Sequence, residues 1–269
     1  MQVMSDITLV ILSSDPYQPI LKVWEKYFNK HWPQCPYKVL SPCNHKHFES
    51  DTIDFVVTGI DAREDATHFK PMLLQVLDKI DTEYILYMVE DQILVNDVIE
   101  ENFIHTIDYM RRFDISKVRC LSMPGPDESL EVQSSFMCNR DFGIISKDNM
   151  YRNSLQAAIW RKRDFVELLN SRQNDFSGWE LETSDDFRDY SKKWNYIACK
   201  QGKGGTLISR EEGQGDSPLL QYVELVRWGK FDRHYIDYFR EIFDKDSFSV
   251  DTPEYEKFGA GLSADELPA

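Results

Sequence analysis

The stretch from Tyr84 to Asn96, YILYMVEDQILVN, constrains this chain more than any other. Six uncharged residues run straight into Glu90 and Asp91, and apolar residues resume behind them. Tyr84 to Val89 is short and rich in Tyr, Ile and Val, as suits a strand buried on both faces. Two acids closing such a strand belong at its end, because an uncompensated buried carboxylate is costly. They ask for a partner, and a divalent cation is the simplest one. The alternative is a solvated strand-to-loop turn, with Asn96 and Asp97 as further turn formers.

The segments before this strand alternate strand with helix. Ile7 to Leu12, ITLVIL, predicts a buried first strand that stops at Ser13, Ser14, Asp15 and Pro16. From Tyr17 the spacing of Ile20, Leu21, Trp24, Tyr27 and Phe28 predicts a helix, with Ser14 or Asp15 placed to cap it. Tyr37 to Leu40 and Asp54 to Thr58 read as short strands, the latter ending at Gly59 with Asp61 beyond. His45 and His47, two apart in CNHKHFES, read as a surface loop pair more readily than as metal ligands. Thr67 to Ile80 predicts a helix with Pro71 in its first turn. Such alternation favours a parallel sheet flanked by helices, whose ligands bind at the carboxyl ends of the strands. Ser13 to Asp15, Asp61 and Asp91 all fall at such ends.

After Asn96 the pattern predicts a helix over Val98 to Phe113, a strand over Lys117 to Met123 stopped by PGPDES, and a short strand over Phe142 to Ser146. Ser154 to Leu169 reads as a strand-like approach followed by a helix. In SGWELE, Ser177 to Glu182, the acids at 180 and 182 share a face if the segment is extended and diverge if it is helical. Trp194 to Ala198, Gly205 to Ile208 and Leu219 to Val226 are further strand candidates. Phe231 to Phe243 reads as a helix with aromatic residues on one side. Arg227 and Lys230 flank Gly229, a basic spot in an acidic chain.

Composition narrows the function classes. The 269 residues include 31 Lys and Arg against 46 Asp and Glu, a formal charge of −15, which opposes non-specific binding to nucleic acid or anionic lipid. A polyanionic ligand would need a bound cation, a helix N-terminus or a few placed basic side chains. Five cysteines without a CxxC pair or zinc-ligand rhythm read as reduced thiols. The N-terminal MQVMSDITLVIL has no basic leader and is too short in its apolar run for a membrane span, so a cytoplasmic location is expected.

The SSDPY turn after the first strand, YILYMVEDQIL, SLQAAIWRK, SGWELE and LVRWGKF together resemble GT-A-type glycosyltransferases, particularly bacterial and large-virus enzymes that build surface glycans, over roughly residues 7–239. The resemblance implies a GT-A-like, Rossmann-like α/β fold: a mostly parallel central sheet flanked by helices, with a smaller C-terminal helical extension. It implies a donor half over about 1–123, an acceptor half over about 124–243, and a loosely ordered acidic tail at 244–269.

By that resemblance a sugar passes from a UDP- or GDP-sugar-like donor to a glycan acceptor, with Mn2+ or Mg2+ on the donor diphosphate. Glu90-Asp91-Gln92 stands where the family has DxD, so Asp91 and then Glu90 are the implied metal ligands, and Gln92 departs from the pattern. Ser13, Ser14, Asp15 and Tyr17 fall where the nucleotide sits, with Asp61 and Lys70 in the same donor-binding set. For Ser14 and Asp15, ordinary helix capping is the alternative. SGWELE falls on the acceptor side, where an inverting enzyme places its base: Glu182 first, Glu180 second, with Trp179 helping to exclude water. Trp160 and Trp179 are placed to stack on sugar rings, a core role being the alternative for Trp160. Arg227 and Lys230 would close over the donor phosphates, or lie in a solvated turn. A degenerate, non-catalytic GT-A-like carbohydrate-binding or structural protein is the competing reading, kept open by Gln92.

Overall fold

The computed structural model of the protein describes residues 6–61, 65–120, 128–129, 142–199, 219–227 and 230–231. In chain order the strands are β1 (Ile7–Leu12), β2 (Val39–Cys43), β3 (Ile53–Val57), β4 (Tyr84–Val89), β5 (Gln92–Leu94), β6 (Ile115–Arg119), β7 (Glu128–Ser129), β8 (Phe142–Ile144), β9 (Ala158–Arg161), β10 (Asn195–Cys199), β11 (Tyr222–Glu224), β12 (Val226–Arg227) and β13 (Lys230–Phe231). The helices are α1 (Gln18–His31), α2 (Phe69–Leu77), α3 (Glu100–Arg112), α4 (Lys162–Leu169), α5 (Gly178–Thr183) and α6 (Asp185–Ser191).

Nine strands make the central sheet, in the order β3-β2-β1-β4-β9-β6-β10-β8-β7. β3, β2, β1 and β4 run parallel, β9 runs against both β4 and β6, and β10 returns parallel to β6. The mostly parallel α/β expectation is therefore borne out, with β8 and β9 as the reversed strands.

One face of the sheet packs on α1, α3, β5 and β11, through Trp24, Phe28, Phe103, Leu94 and Tyr222. The other packs on α2, α4, α5 and α6, through Leu73, Phe165, Leu181 and Phe187. Both layers follow from the 3.6-residue apolar stripes of the helices meeting strands apolar on both faces.

Strands β1 and β4 fall where the apolar runs predict. β2 is displaced toward the C-terminus of the expected strand, because Tyr37 leaves the sheet and packs edge-on against Trp32, ring centroids 5.6 Å apart. Register with β1 covers only Val39 and Leu40, two residues short of Pro42, which has no N–H to offer. The helix expected over Thr67 to Ile80 is shorter: a turn of 3-10 helix capped by the Asp65 side chain precedes α2, and α2 ends at Leu77. The strand expected at Gly205 to Ile208, the C-terminal extension and the acidic tail lie outside the described residues, as does the helix expected over Phe231 to Phe243 except for Phe231, which lies in β13.

Candidate functional site

β1 and β4 are in register from Ile7 opposite Tyr84 to Leu12 opposite Val89, so Ser13 and Glu90 leave the sheet at the same level. The Glu90 N–H donates to Leu12 O at 3.2 Å. Ser13 is buried, and its hydroxyl has no hydrogen-bond partner. Ser13, Ser14, Asp15, Glu90 and Asp91 thus share one rim, the carboxyl edge of adjacent parallel strands.

Asp15 does not cap α1. Neither Ser14 nor Tyr17, the residues at the cap positions, makes a side-chain cap bond. The Asp15 carboxylate instead accepts the backbone N–H groups of Asn44 at 2.6 Å, His45 at 3.0 Å and Lys46 at 3.0 Å. Asn44 answers by accepting the Asp15 N–H at 2.8 Å and donating to Ile60 O. This reciprocal box welds the turn after β1 to the ends of β2 and β3. Gly59, with φ of 68°, makes the turn and donates its N–H to Asn44 O, a backbone region open to Gly and costly for most other residues. Side-chain capping does not occur here: the Asp15 carboxylate is engaged instead by the backbone N–H groups of residues 44–46. Tyr17 is half-buried and packs on the core beside this turn. Asp61 follows at the same edge, its carbonyl within 3.2 Å of His68 Nδ1.

Lys70 is a correction. It is 7% exposed, and its ammonium donates to Arg172 O at 2.7 Å and Gln173 O at 3.2 Å, which takes it out of the donor-binding set.

Glu90 and Asp91 form the turn between β4 and β5. Burial, and after it the Asp91 carboxylate, push Glu90 well above the ordinary carboxylate range. Asp91 O accepts the Leu225 N–H at 2.8 Å. Gln92, where a DxD motif has its second acid, is fully buried. Its Oε1 accepts the Val89 N–H at 3.1 Å and its Nε2 donates to Gln156 Oε1 at 2.9 Å. The side chain faces protein, so it closes the strand end rather than contributing to a ligand shell. Among the described residues no group of three or more His, Cys, Asp and Glu side chains is arranged to hold a metal ion. The two adjacent carboxylates nevertheless fit Mg2+ or Mn2+ as a donor set, since Mg2+ is ordinarily held by one or two carboxylates with substrate phosphates and water.

SGWELE is helical, as α5, so Glu180 and Glu182 diverge. Glu180 pairs with the Arg172 guanidinium, which makes it a poor second candidate for a base. Glu182 turns the other way and accepts the Leu155 N–H. Burial is the largest influence on its carboxyl and raises it above the ordinary value of 4.5, against the Leu155 bond, the Lys117 ammonium and Ser154. Trp179 is 64% exposed and does not provide that burial. Trp160 is a core residue, fully buried and stacked on Phe165 with centroids 4.5 Å apart.

Leu155 and Gln156 precede β9, which pairs antiparallel with β4 so that Ala158 lies opposite Tyr87. This brings Glu182 to the carboxyl edge of β4. The buried Tyr87 phenol, which has no hydrogen-bond partner, feels both the Glu182 and the Glu90 carboxylates, and burial and these two charges raise it far above an ordinary tyrosine.

Beneath this edge lies a set of buried cations. Lys117, Arg119 and Arg152 are each 0% exposed. Lys117 Nζ donates to Ser154 O at 2.6 Å and Arg152 O at 3.2 Å. Arg152 donates to Ile145 O, Ser146 O, Ser191 O, Ser191 Oγ and Trp194 O. Lys117 and Arg119, two apart in β6, carry the period of a single sheet face, a signal present in ISKVR. Arg152 has no pattern that would announce it.

Arg227 and Lys230 face each other across the β12–β13 hairpin, two residues beyond the Leu225 that bonds Asp91. Their side chains and Gly229 lie outside the described part of the structure. No helix among the described residues is long and apolar enough to cross a membrane.

No family model matches the chain, and no curated protein matches its sequence. In structure it is similar to residues 1–349 of TarS from S. aureus, at 12% identity and a TM-score of 0.44, over 93% of this chain and 68% of that one. It is similar to the galactosyltransferase LgtC in complex with donor and acceptor sugar analogues, at 12% identity and 0.41, over 94% and 100% of the two chains. The mannosyltransferase PcManGT from Pyrobaculum calidifontis, in complex with GDP-Man and Mn2+, aligns at 10% identity and 0.42, over 77% and 58%.

Proposed function

We propose that the chain is a GT-A-type glycosyltransferase that moves a sugar from a nucleotide-diphosphate donor to a hydroxyl of a glycan acceptor. The observation that carries this reading is convergence: the Ser13–Tyr17 turn, the Glu90–Asp91 turn and Glu182 come to one carboxyl edge of a mostly parallel sheet. That edge is where open α/β sheets bind ligands.

In this reading the donor half is built from about residues 1–123 and the acceptor half from about 124–243. Asp91 and Glu90 would hold a divalent cation, which when bound neutralises charge on the leaving diphosphate. Ser14 and Tyr17 line the nucleotide pocket, whose wall is fixed by the Asp15–Asn44 box. Arg227 and Lys230 follow the Asp91-bonded strand and supply positive charge to the phosphates. Glu182 is the base: it takes the proton of the acceptor hydroxyl as that oxygen bonds the anomeric carbon and the diphosphate departs with the bonding pair. A carboxyl raised by burial holds a proton closer to neutral pH, which suits that task.

The inward-facing Gln92 favours a second reading, a carbohydrate-binding relative that has lost turnover, since the second acid position of the motif carries no carboxylate and its side chain faces protein. Donor hydrolysis and transfer with Mn2+ separate the two. The transferase reading expects Asp91→Ala to abolish both activities, and Glu182→Gln to abolish transfer while leaving donor binding intact. Equal rates in all three proteins would sink the metal and base assignments together.

A further inference from the structure

The segment from Arg152 to Gln156 is gripped from three sides. Lys117 holds the carbonyls of residues 152 and 154 from the buried face of β6. Glu182 of α5 takes the Leu155 N–H. Gln156 accepts from Gln92, whose other amide atom takes the Val89 N–H at the last residue of β4. Inside the segment, Ser154 Oγ accepts the Gln156 N–H at 3.3 Å. α5 is seated tightly on it too: a Cβ on Gly178 would lie 3.3 Å from Leu155 Cδ1 and 3.3 Å from Phe69 Cε2.

The consequence is a continuous path of short bonds between two carboxylate groups on different elements. It runs from Glu182 through Leu155 and Gln156 to Gln92, and ends one residue before Glu90. Gln92 is buried and both of its amide ends are used, so the Gln156 acceptor is a side-chain tie on the turn that carries Glu90 and Asp91, beside the backbone bonds from Glu90 N–H to Leu12 O and from Leu225 N–H to Asp91 O.

We infer that Gln156 and Gln92 are positioning residues, which hold the Glu90–Asp91 turn in fixed register with Glu182 through the 152–156 bridge. This rests on the transferase reading for what the two carboxylate sites do, but the bridge itself is tested without it. Gln156 touches neither donor nor acceptor in this account. It acts through Gln92, as residues behind metal ligands commonly do.

The test compares Gln156→Met, of similar length but without the acceptor, with Gln156→Glu, which keeps an acceptor oxygen for Gln92. Amide hydrogen exchange is followed at Val89 and across residues 89–94 in protein without metal or nucleotide. Gln156→Met is expected to speed exchange there about tenfold, with the rest of the β1–β4 sheet unchanged, and Gln156→Glu to restore the parent rate. In the same proteins Mn2+ titration is expected to show metal affinity lowered roughly ten- to hundredfold in Gln156→Met and recovered in Gln156→Glu.

Exchange at Val89 that is the same in all three proteins would overturn the bridge. So would exchange that rises equally in both variants, since that would be a general loss of packing. A parent protein that binds no Mn2+ while its Val89 exchange still responds to Gln156→Met would remove the metal reading and leave the bridge standing.

Discussion

The sheet has two halves that bury different chemistry. In β3, β2, β1 and β4 the buried side chains are almost all apolar, from Ile7, Leu9, Val10 and Ile11 to Tyr84 through Met88, and none of these strands buries a charged side chain. In β6 and β9 the strands themselves carry Lys117, Arg119 and Arg161 at 5% exposure or less, with Arg152 beside them. The first half is held by area removed from water. The second buries apolar side chains too, but among them sit cations whose charged groups bond backbone carbonyls and a few carboxylates. Buried ionic groups add little net stability compared with apolar substitutes, but breaking one is expensive. The contrast teaches that the cationic half specifies position, and the structure uses it to seat the bridge that carries Glu182's partner.

The largest expected effect lies in the cationic half. Arg152→Met removes all five guanidinium bonds from a buried site and should cost about 4 kcal/mol in urea unfolding; a loss below about 1 kcal/mol would mean that its bonds are replaced by water. In the apolar half, Leu86→Ala should cost about 3 kcal/mol through transfer and cavity terms. The two differ in what else they change: Arg152→Met should also loosen residues 144–146 and 191–194 in hydrogen exchange, and Leu86→Ala should not.

Asp15→Ala is intermediate, because it releases three backbone N–H groups at the rim. It should cost about 2 kcal/mol and weaken nucleotide binding, with Asp15→Asn recovering only part of either. A full return to parent stability in Asp15→Asn would show that one acceptor suffices.

The smallest effect concerns Glu182, and its sign is fixed by direction. The folded protein holds this proton more tightly than the unfolded chain, chiefly through burial. Ionised Glu182 therefore subtracts stability at pH well above its ordinary 4.5 and subtracts nothing below it. Glu182→Gln should stabilise the protein near pH 8, and the gain should fade as pH falls toward the ordinary carboxylate value. A gain that grows on acidification would contradict the burial argument.

The apolar half could be read almost residue by residue, because uninterrupted β-branched runs and helical spacing are local signals. ITLVIL and YILYMV became β1 and β4 without a shift. What failed were long-range polar commitments. Asp15 looked like a cap because caps are local, whereas its partners are 29 to 31 residues away. Lys70 belongs by resemblance to the donor-binding set, but its ammonium meets carbonyls about a hundred residues on. Gln92 looked like a damaged metal ligand, and it is a strand-end clasp whose partner, Gln156, has no sequence signature. Glu182 could be singled out beside Trp179, but that tryptophan is exposed and does not supply the burial that raises the Glu182 carboxyl.

The central claim is that the rim joining β1 and β4 binds a nucleotide-diphosphate sugar through Asp91 and a divalent cation. Thermal unfolding with UDP-, GDP-, CMP- and dTDP-linked ligands, with and without Mn2+, tests it in wild type and Asp91→Ala. A ligand at a hundred times its dissociation constant adds about 2.7 kcal/mol, so wild type should shift clearly with one nucleotide class, only when Mn2+ is present, and Asp91→Ala should not shift at all. The same shift in both proteins, or none in wild type with any nucleotide, would contradict the account.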